Sequence, residues 1–163
     1  MPILLDYTRL KIKLPLTVKD LAHGTLYCVN NCPVTWGSKL QTSTALSTME
    51  AEYVAVSAAC RELLPLQKLF HEISTQVALP IDVLISINST IWEDNEGTLK
   101  LANMPLPRFT SKSKHFACKF HWFRDHVSNG SDNMASDKFL VKPIATSHQL
   151  VNIFTKGLVG STF

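Results

Sequence analysis

Two acidic residues from separate parts of the chain have the types and positions that suit metal chemistry. Glu52 lies in the segment Ser-Thr-Met-Glu-Ala-Glu-Tyr, where a helix is expected to begin, and Asp94 follows an apolar run that is expected to end there. Carboxylates at such junctions are a common way to bring acidic oxygens from separate elements to one hard cation. The sequence therefore predicts that Glu52 and Asp94 converge on a site for one hard cation.

The sequence indicates where the helix that would position Glu52 begins. Ser47 and Glu50 have the spacing of a capping box, in which each side chain accepts a backbone hydrogen bond at the helix N-terminus. Helix-forming residues then continue to about Ser74, so we expect one long helix with Glu52 at its beginning. Pro65 falls inside it, and a proline removes one backbone hydrogen bond and crowds the preceding turn. We therefore expect a kink at Pro65.

The remaining elements follow from apolar patterning and turn residues. Segments rich in strand-forming residues at 24–29 and 33–36 are separated by Asn30 and Asn31, which predicts a hairpin. Further strands are expected at 2–5, 83–87, 91–92 and 138–144, further helices at 96–103, 114–127 and 147–158, and a loop at 6–22. This order of elements predicts an α/β fold.

The composition is that of one globular domain. The 163 residues, of which 45% are hydrophobic and 18% charged, fit a single domain over 1–163. No apolar run approaches the roughly 20 residues that a membrane-spanning helix needs. Near the N-terminus the charged residues follow the apolar stretch instead of preceding it, unlike a secretory signal. We therefore expect an intracellular protein, cytoplasmic or nuclear, with no membrane partner.

A stretch of basic and aromatic residues suggests a nucleic-acid partner. Between 112 and 126, lysine, arginine and histidine are interleaved with phenylalanine and tryptophan, a combination that suits phosphate contact plus base stacking. The same stretch also fits an amphipathic helix with an aromatic core face and a solvated basic face, and the two interpretations are compatible. The predicted contacts to nucleic acid are Lys39, Lys112, Lys114, His115, Lys119 and Arg124.

Four blocks of sequence, in this order, resemble the ribonuclease H domain of copia-type retrotransposon polyproteins. They lie at 33–53, 93–97, 111–127 and 149–156 and include Leu-Ser-Thr-Met-Glu-Ala-Glu-Tyr, Glu-Asp-Asn-Glu-Gly, Ser-Lys-Ser-Lys-His and Asn-Ile-Phe-Thr-Lys. The resemblance implies a ribonuclease H-like fold, a mixed five-stranded sheet with a truncated first strand and flanking helices. It also implies cleavage of the RNA strand of RNA–DNA hybrids by two-metal hydrolysis with Mg²⁺ or Mn²⁺ as the metal. The domain would be monomeric, originally fused to a reverse transcriptase, and carried in a virus-like particle by the parent element.

The resemblance also assigns roles to individual acids. Glu52 matches the family's helix acid, and Asp94 matches the acid that ends the central strand. The family's other two acids are replaced by Leu4 and by Asn152, whose amide oxygen can touch a metal but brings no charge. Asp6 follows Leu4 on the same strand face and is the substitute that fits the pattern. The implied metal ligands are therefore Glu52, Asp94, Asp6 and Asn152, and the first three are the implied catalytic residues.

Three functions stay open from the sequence. The favoured one is a ribonuclease H with a damaged metal site, weak or inactive, because two divalent cations repel unless enough anions surround them. An active enzyme would need Asp6, Glu50 or Glu93 to replace the missing ligands. Glu50 is expected on a different helix face from Glu52, and Glu93 on the opposite side of the strand from Asp94. The third function is a non-catalytic module that binds nucleic acid.

Overall fold

A computed structural model describes residues 9–13, 16–17, 22–29, 31–41, 45–77, 88–105, 108, 120–128 and 137–150, with the backbone alone before residue 23 and at residue 88. The helices are α1 (Thr48–Gln76) and α2 (Glu96–Ala102), and short 3-10 helices cover Trp122–His126 and Thr146–His148. The strands are β1 (Arg9–Lys13), β2 (Leu16–Thr17), β3 (Ala22–Val29), β4 (Cys32–Leu40), β5 (Asn88–Glu93) and β6 (Phe139–Pro143).

One mixed sheet contains the described strands. β3 pairs antiparallel with β1, β2 and β4, whereas β1 pairs parallel with β5, and β5 pairs parallel with β6. β1 therefore lies at the centre, between β3 and β5. The predicted mixed α/β class is confirmed. The prediction of five strands is corrected, because the described residues form a six-stranded sheet that includes the two-residue β2.

The central strand β1 overturns the prediction of a loop over 6–22. Its sequence, Arg-Leu-Lys-Ile-Lys, alternates charged and apolar residues, which is the period-two pattern of a strand. The pattern covers only five residues, and the strand pairs on both edges, with Ile12 opposite Tyr27 on one side and opposite Ile91 on the other. These partners are distant in the sequence, so local periodicity alone does not reveal the strand. The strand predicted at 2–5 lies outside the described residues.

The predicted hairpin is confirmed by β3 and β4. The two strands pair from Val29 opposite Cys32 to Ala22 opposite Leu40. Asn31, which opens β4, has a φ of 67°. This left-handed conformation is one that asparagine adopts more readily than most residues with a side chain. Asn31 therefore lies in the turn that the sequence predicts between the two strands.

The predicted start of α1 is confirmed. The Ser47 hydroxyl accepts a hydrogen bond from the Glu50 backbone at 3.2 Å, and Glu50 Oε2 accepts one from the Leu46 backbone at 2.9 Å. These bonds satisfy backbone donors that have no partner within the helix. The helix then continues through Pro65 to Gln76. Because Pro65 is exposed, its ring lies at the protein surface and not in the core. The kink expected at Pro65 stays a prediction.

The core fixes α1 against the sheet. One buried cluster joins residues of α1 to β3, β5, α2 and β6, and its largest members are Tyr27, Tyr53, Leu63, Ile91, Leu101, Phe123 and Phe139. A buried side-chain amide also connects α1 to the sheet. Gln67 Nε2 donates to Ser89 Oγ at 2.8 Å and to the Lys138 carbonyl at 3.0 Å. α1 and β5, which carry Glu52 and Glu93, are therefore held in a fixed relation.

The other predicted elements fall into two groups. α2, β5 and β6 confirm the helix at 96–103 and the strands at 91–92 and 138–144. The helices predicted at 114–127 and 147–158 are described only in part, as the two 3-10 helices, and the strand at 83–87 lies outside the described residues. Within the described ranges, neither α1 nor α2 combines the length and the apolar character needed to cross a membrane.

Candidate divalent-cation site

Three carboxylates meet where β5 ends and α1 begins. Glu52 lies near the start of α1, Glu93 is the last residue of β5, and Asp94 follows it. One carboxylate oxygen from each residue lies within 4.8 Å of the others. The predicted convergence of Glu52 and Asp94 is therefore present in the structure. We call these three side chains the acid cluster.

Glu93 is the member that the sequence reasoning excluded, and that exclusion was wrong. The side chain is fully buried, and its Oε1 accepts a hydrogen bond from the Asn95 backbone at 2.9 Å. Strand alternation would send Glu93 and Asp94 to opposite faces, but β5 ends at Glu93 and the chain turns directly afterwards. Asn95 is the residue that could have indicated this turn from the sequence, because asparagine is a common helix N-cap. Its side chain caps α2 by accepting a hydrogen bond from the Thr98 backbone at 3.0 Å.

The electrostatics of Glu93 favour a nearby cation. Burial, reinforced by the neighbouring Asp94 charge, raises the pKa of Glu93 to about 8, although the hydrogen bond from the Asn95 backbone acts to lower it. Its Oε2 is buried and has no hydrogen-bond partner among the described residues. A buried oxygen without a partner is costly, and a bound cation would remove that cost. Glu93 is therefore the strongest single indication of a ligand at the acid cluster.

The donor set fits a hard divalent cation. Mg²⁺ and Mn²⁺ favour oxygen ligands, and Mg²⁺ is typically held by one or two carboxylates together with several waters. Three carboxylates supply enough negative charge for one such ion. The residues present therefore fit one Mg²⁺ or Mn²⁺ better than two. The ligands predicted at Asp6 and Asn152 lie outside the described residues.

The strand beside β5 adds no described acid to the cluster. β1 runs parallel to β5 with Lys13 opposite Trp92, so the carboxyl end of β1 adjoins the end of β5 that carries Glu93. The described residues of β1 are three cations and two apolar residues. At this position in the sheet, Glu93 supplies a carboxyl group, whereas the residues of β1 include none.

Two of the predicted nucleic-acid contacts are described, and they differ. Lys39 is on the surface, where its ammonium donates to Glu62 Oε1 at 2.9 Å. Arg124 is buried, and its guanidinium donates to the carbonyls of Met104 at 2.6 Å and Arg108 at 2.8 Å. Arg124 therefore forms hydrogen bonds inside the protein, and its burial does not fit the predicted contact to nucleic acid. The other four predicted contacts, Lys112, Lys114, His115 and Lys119, lie outside the described residues.

Three curated proteins are similar to this chain over most of its length. They are the retrovirus-related Pol polyproteins from transposon TNT 1-94 of Nicotiana tabacum (25% identical over 155 residues), transposon RE2 of Arabidopsis thaliana (29% over 136) and transposon RE1 of Arabidopsis thaliana (28% over 141). The alignments cover 95%, 83% and 86% of this chain, but it spans only 10%, 8% and 8% of the relatives.

The likeness of this chain to protein families and to solved structures is limited. No protein-family profile matches the sequence. The structure of the foamy viral protease-reverse transcriptase dRH in complex with double-stranded DNA is similar over 89% of this chain and 22% of that one, at 15% identity and a TM-score of 0.36. A likeness of that size does not define the fold.

Proposed function

Because this chain is homologous to retrovirus-related Pol polyproteins of plant transposons, we propose that it is a ribonuclease H-like domain with an impaired metal site. Its reaction would be hydrolysis of the RNA strand of an RNA–DNA hybrid. The observation that supports this most directly is the acid cluster, in which oxygens of Glu52, Glu93 and Asp94 lie within 4.8 Å of one another.

The chemistry follows from the cluster's position and charge. A bound Mg²⁺ or Mn²⁺ would activate water and stabilise the charge that develops at phosphorus. The three carboxylates would hold the ion from two separate elements, α1 and the end of β5. The backbone hydrogen bond to Glu93 Oε1 leaves its buried Oε2 as the oxygen placed to bind the cation.

Impairment is proposed because the charge available suits one ion and the resemblance calls for two. β1 contributes no acid among its described residues, and two family acids are replaced by Leu4 and Asn152. Two adjacent divalent cations need more surrounding anionic charge than three carboxylates provide. Glu93 restores one charge, so weak cleavage is expected unless Asp6 completes the site.

A second candidate function is binding of nucleic acid without cleavage. It is favoured by β1, the central strand, whose five residues include the cations Arg9, Lys11 and Lys13 and no acid. We further propose that the domain acts as a monomer inside the cell, originally beside a reverse transcriptase domain in one polyprotein. The similarity of this chain to Pol polyproteins supports that last point.

Cleavage of an end-labelled RNA–DNA hybrid tests the proposal. The wild type should cut weakly in Mg²⁺ or Mn²⁺, and Asp94→Asn should remove that activity. Leu4→Asp combined with Asn152→Asp should increase it, because both changes add carboxylates at the positions the resemblance identifies. Glu72→Gln is the matched control, since Glu72 is an exposed acid on the same helix.

The outcomes separate the two candidate functions. Robust cutting that survives Asp94→Asn would contradict the mechanism. Hybrid binding that weakens steeply with salt, without cleavage in the wild type or in the double variant, would favour the binding module. Calorimetric titration with Mn²⁺ gives an independent measure, in which the wild type should bind and Glu52→Gln should not.

A further inference from the structure

The first turns of α1 and α2 touch beside the acid cluster. Thr98, in α2, is fully buried, and its hydroxyl donates to the Met49 carbonyl at 3.1 Å. Met49 lies in the first turn of α1, three residues before Glu52. The Thr98 hydroxyl therefore links α2 to the part of α1 that presents Glu52.

A second set of hydrogen bonds continues from Thr98 to the other side of the cluster. The Thr98 backbone donates to Asn95 Oδ1 at 3.0 Å, and the Asn95 backbone donates to Glu93 Oε1 at 2.9 Å. Together with the Thr98–Met49 bond, this forms an unbroken path from the Glu93 carboxylate to the helix turn before Glu52. We call this path the Asn95–Thr98–Met49 link.

Packing at Gly97 tightens the same contact. A Cβ atom at Gly97 would lie 2.8 Å from Met49 Cγ and 3.2 Å from Asn95 Oδ1. The first distance is shorter than carbon atoms tolerate without movement, so glycine allows the two helix starts to approach this closely. The link therefore depends on close packing as well as on hydrogen bonds.

We propose that Thr98 is a positioning residue, which holds Glu52 at the separation from Glu93 and Asp94 that binding of a divalent cation requires. The inference rests on the metal-binding part of the proposed function. Thr98 acts through Met49 and Asn95, whose hydrogen bonds connect the two acid-bearing segments.

The chemistry of magnesium explains why small displacements matter. Mg²⁺ requires near-octahedral oxygen ligands at about 2.0–2.1 Å, which places neighbouring ligand oxygens about 3 Å apart. The cluster oxygens are already within 4.8 Å of one another, so binding needs only a modest closure. Loss of the link would let the two segments drift and would make that closure less favourable.

Thr98→Val tests the inference, because valine keeps the shape of the side chain and removes the hydroxyl. Mn²⁺ affinity, measured by electron paramagnetic resonance of free Mn²⁺, should fall about tenfold, as is typical when a group that orients a ligand is lost. Amide hydrogen exchange should rise at residues 49–53 and 95–98 of the full chain. Thr98→Ser, which keeps the hydroxyl, should preserve both properties near the wild-type values.

Thr75→Val is the matched control. The Thr75 hydroxyl also donates to a backbone carbonyl, that of His71 at 2.7 Å, but at the far end of α1. This variant should leave Mn²⁺ affinity and exchange near the cluster unchanged.

Each outcome of these measurements supports or overturns the role proposed for Thr98. Faster exchange in Thr98→Val with unchanged Mn²⁺ affinity would overturn the inference, because the hydroxyl would then only stabilise the helix starts. Unchanged exchange would overturn it as well. If the wild type itself binds no Mn²⁺, the proposed function fails, and the exchange comparison of Thr98→Val with Thr75→Val still decides whether Thr98 couples the two segments.

Discussion

The long helix α1 carries two carboxylates whose surroundings are opposite in kind. Glu62 accepts hydrogen bonds from the Tyr27 hydroxyl and the Lys39 ammonium, both at 2.9 Å. Burial alone would raise the pKa of Glu62, but these bonds and the Lys39 charge outweigh it and lower that pKa. Glu52, ten residues earlier, instead lies among acids, beside Glu93 and Asp94.

The contrast is between a carboxylate paired with a cation of the fold and one gathered with two other acids. Around Glu62, the protein supplies the opposite charge and the donors itself. In the acid cluster, burial and a neighbouring negative charge act on Glu93 in the same direction, raising its pKa. A buried acid with a raised pKa, gathered with other acids in this way, is typical of functional sites. We therefore expect that removing the carboxyl group raises the free energy of unfolding at Glu93 and lowers it at Glu62.

The largest expected effect is that of a cation on stability. At a concentration of Mn²⁺ about 100 times its Kd, the wild type should gain about 2.7 kcal/mol in the free energy of unfolding. Glu93→Gln should lose this gain and, with EDTA present, should be about 1 kcal/mol more stable than the wild type because a buried acid is removed. Chemical denaturation with and without Mn²⁺ measures both values, and a Glu93→Gln protein that still gains stability from Mn²⁺ would break the comparison.

The next effect concerns the close approach at Gly97. Gly97→Ala should destabilise the protein by about 1–3 kcal/mol, because the added methyl group overlaps the Met49 side chain. Met49→Ala in the same protein should recover part of that loss by making room. A thermal unfolding series of the two single variants and the double variant measures the coupling, and strictly additive effects would show that the contact is not tight.

A smaller effect is expected at Glu62, with the opposite sign to Glu93. Glu62→Gln should cost about 1 kcal/mol at pH 7, since it weakens hydrogen bonds at a partly exposed site. The pKa of Glu62 is lower in the folded than in the unfolded chain, so this contribution is present above the unfolded pKa of about 4.3 and is lost as the pH falls through the folded value. Denaturant titrations of both proteins at pH 7 and pH 3 should show a difference at pH 7 that shrinks at pH 3.

The smallest effect should come from Lys39. Its ion pair with Glu62 is exposed, with 68% and 45% of the two side chains accessible, and such pairs contribute about 0–1 kcal/mol. Lys39→Met should therefore change the free energy of unfolding by less than Glu62→Gln does. A larger loss for Lys39→Met, measured by the same denaturant titration, would mean that Lys39 and not Tyr27 is the main partner of Glu62.

Local signals in the sequence predicted much of what positions the acid cluster. The capping box at Ser47 located the start of α1, and the apolar run before Asp94 located the end of β5. Both features depend on residues within a few positions of each other. The convergence of Glu52 and Asp94 followed because the two junctions meet at one edge of the sheet.

The features that the sequence did not reveal depend on distant partners or on local breaks in regularity. β1 is a short strand whose stability comes from pairing with β3 and β5. Glu93 joins the cluster because the chain turns where strand alternation ends. Arg124 is buried and its guanidinium donates to carbonyls of a separate segment, a contact that composition does not reveal.

The parallel pairing of β1 with β5 has a consequence for synthesis on the ribosome. The strand at the middle of the sheet is made before α1 and β5, so one of its edges stays open until both have emerged. An open strand edge can pair with other chains, and pairings between distant segments form slowly. Chains that end after α1 should therefore aggregate more readily than chains that extend through β6.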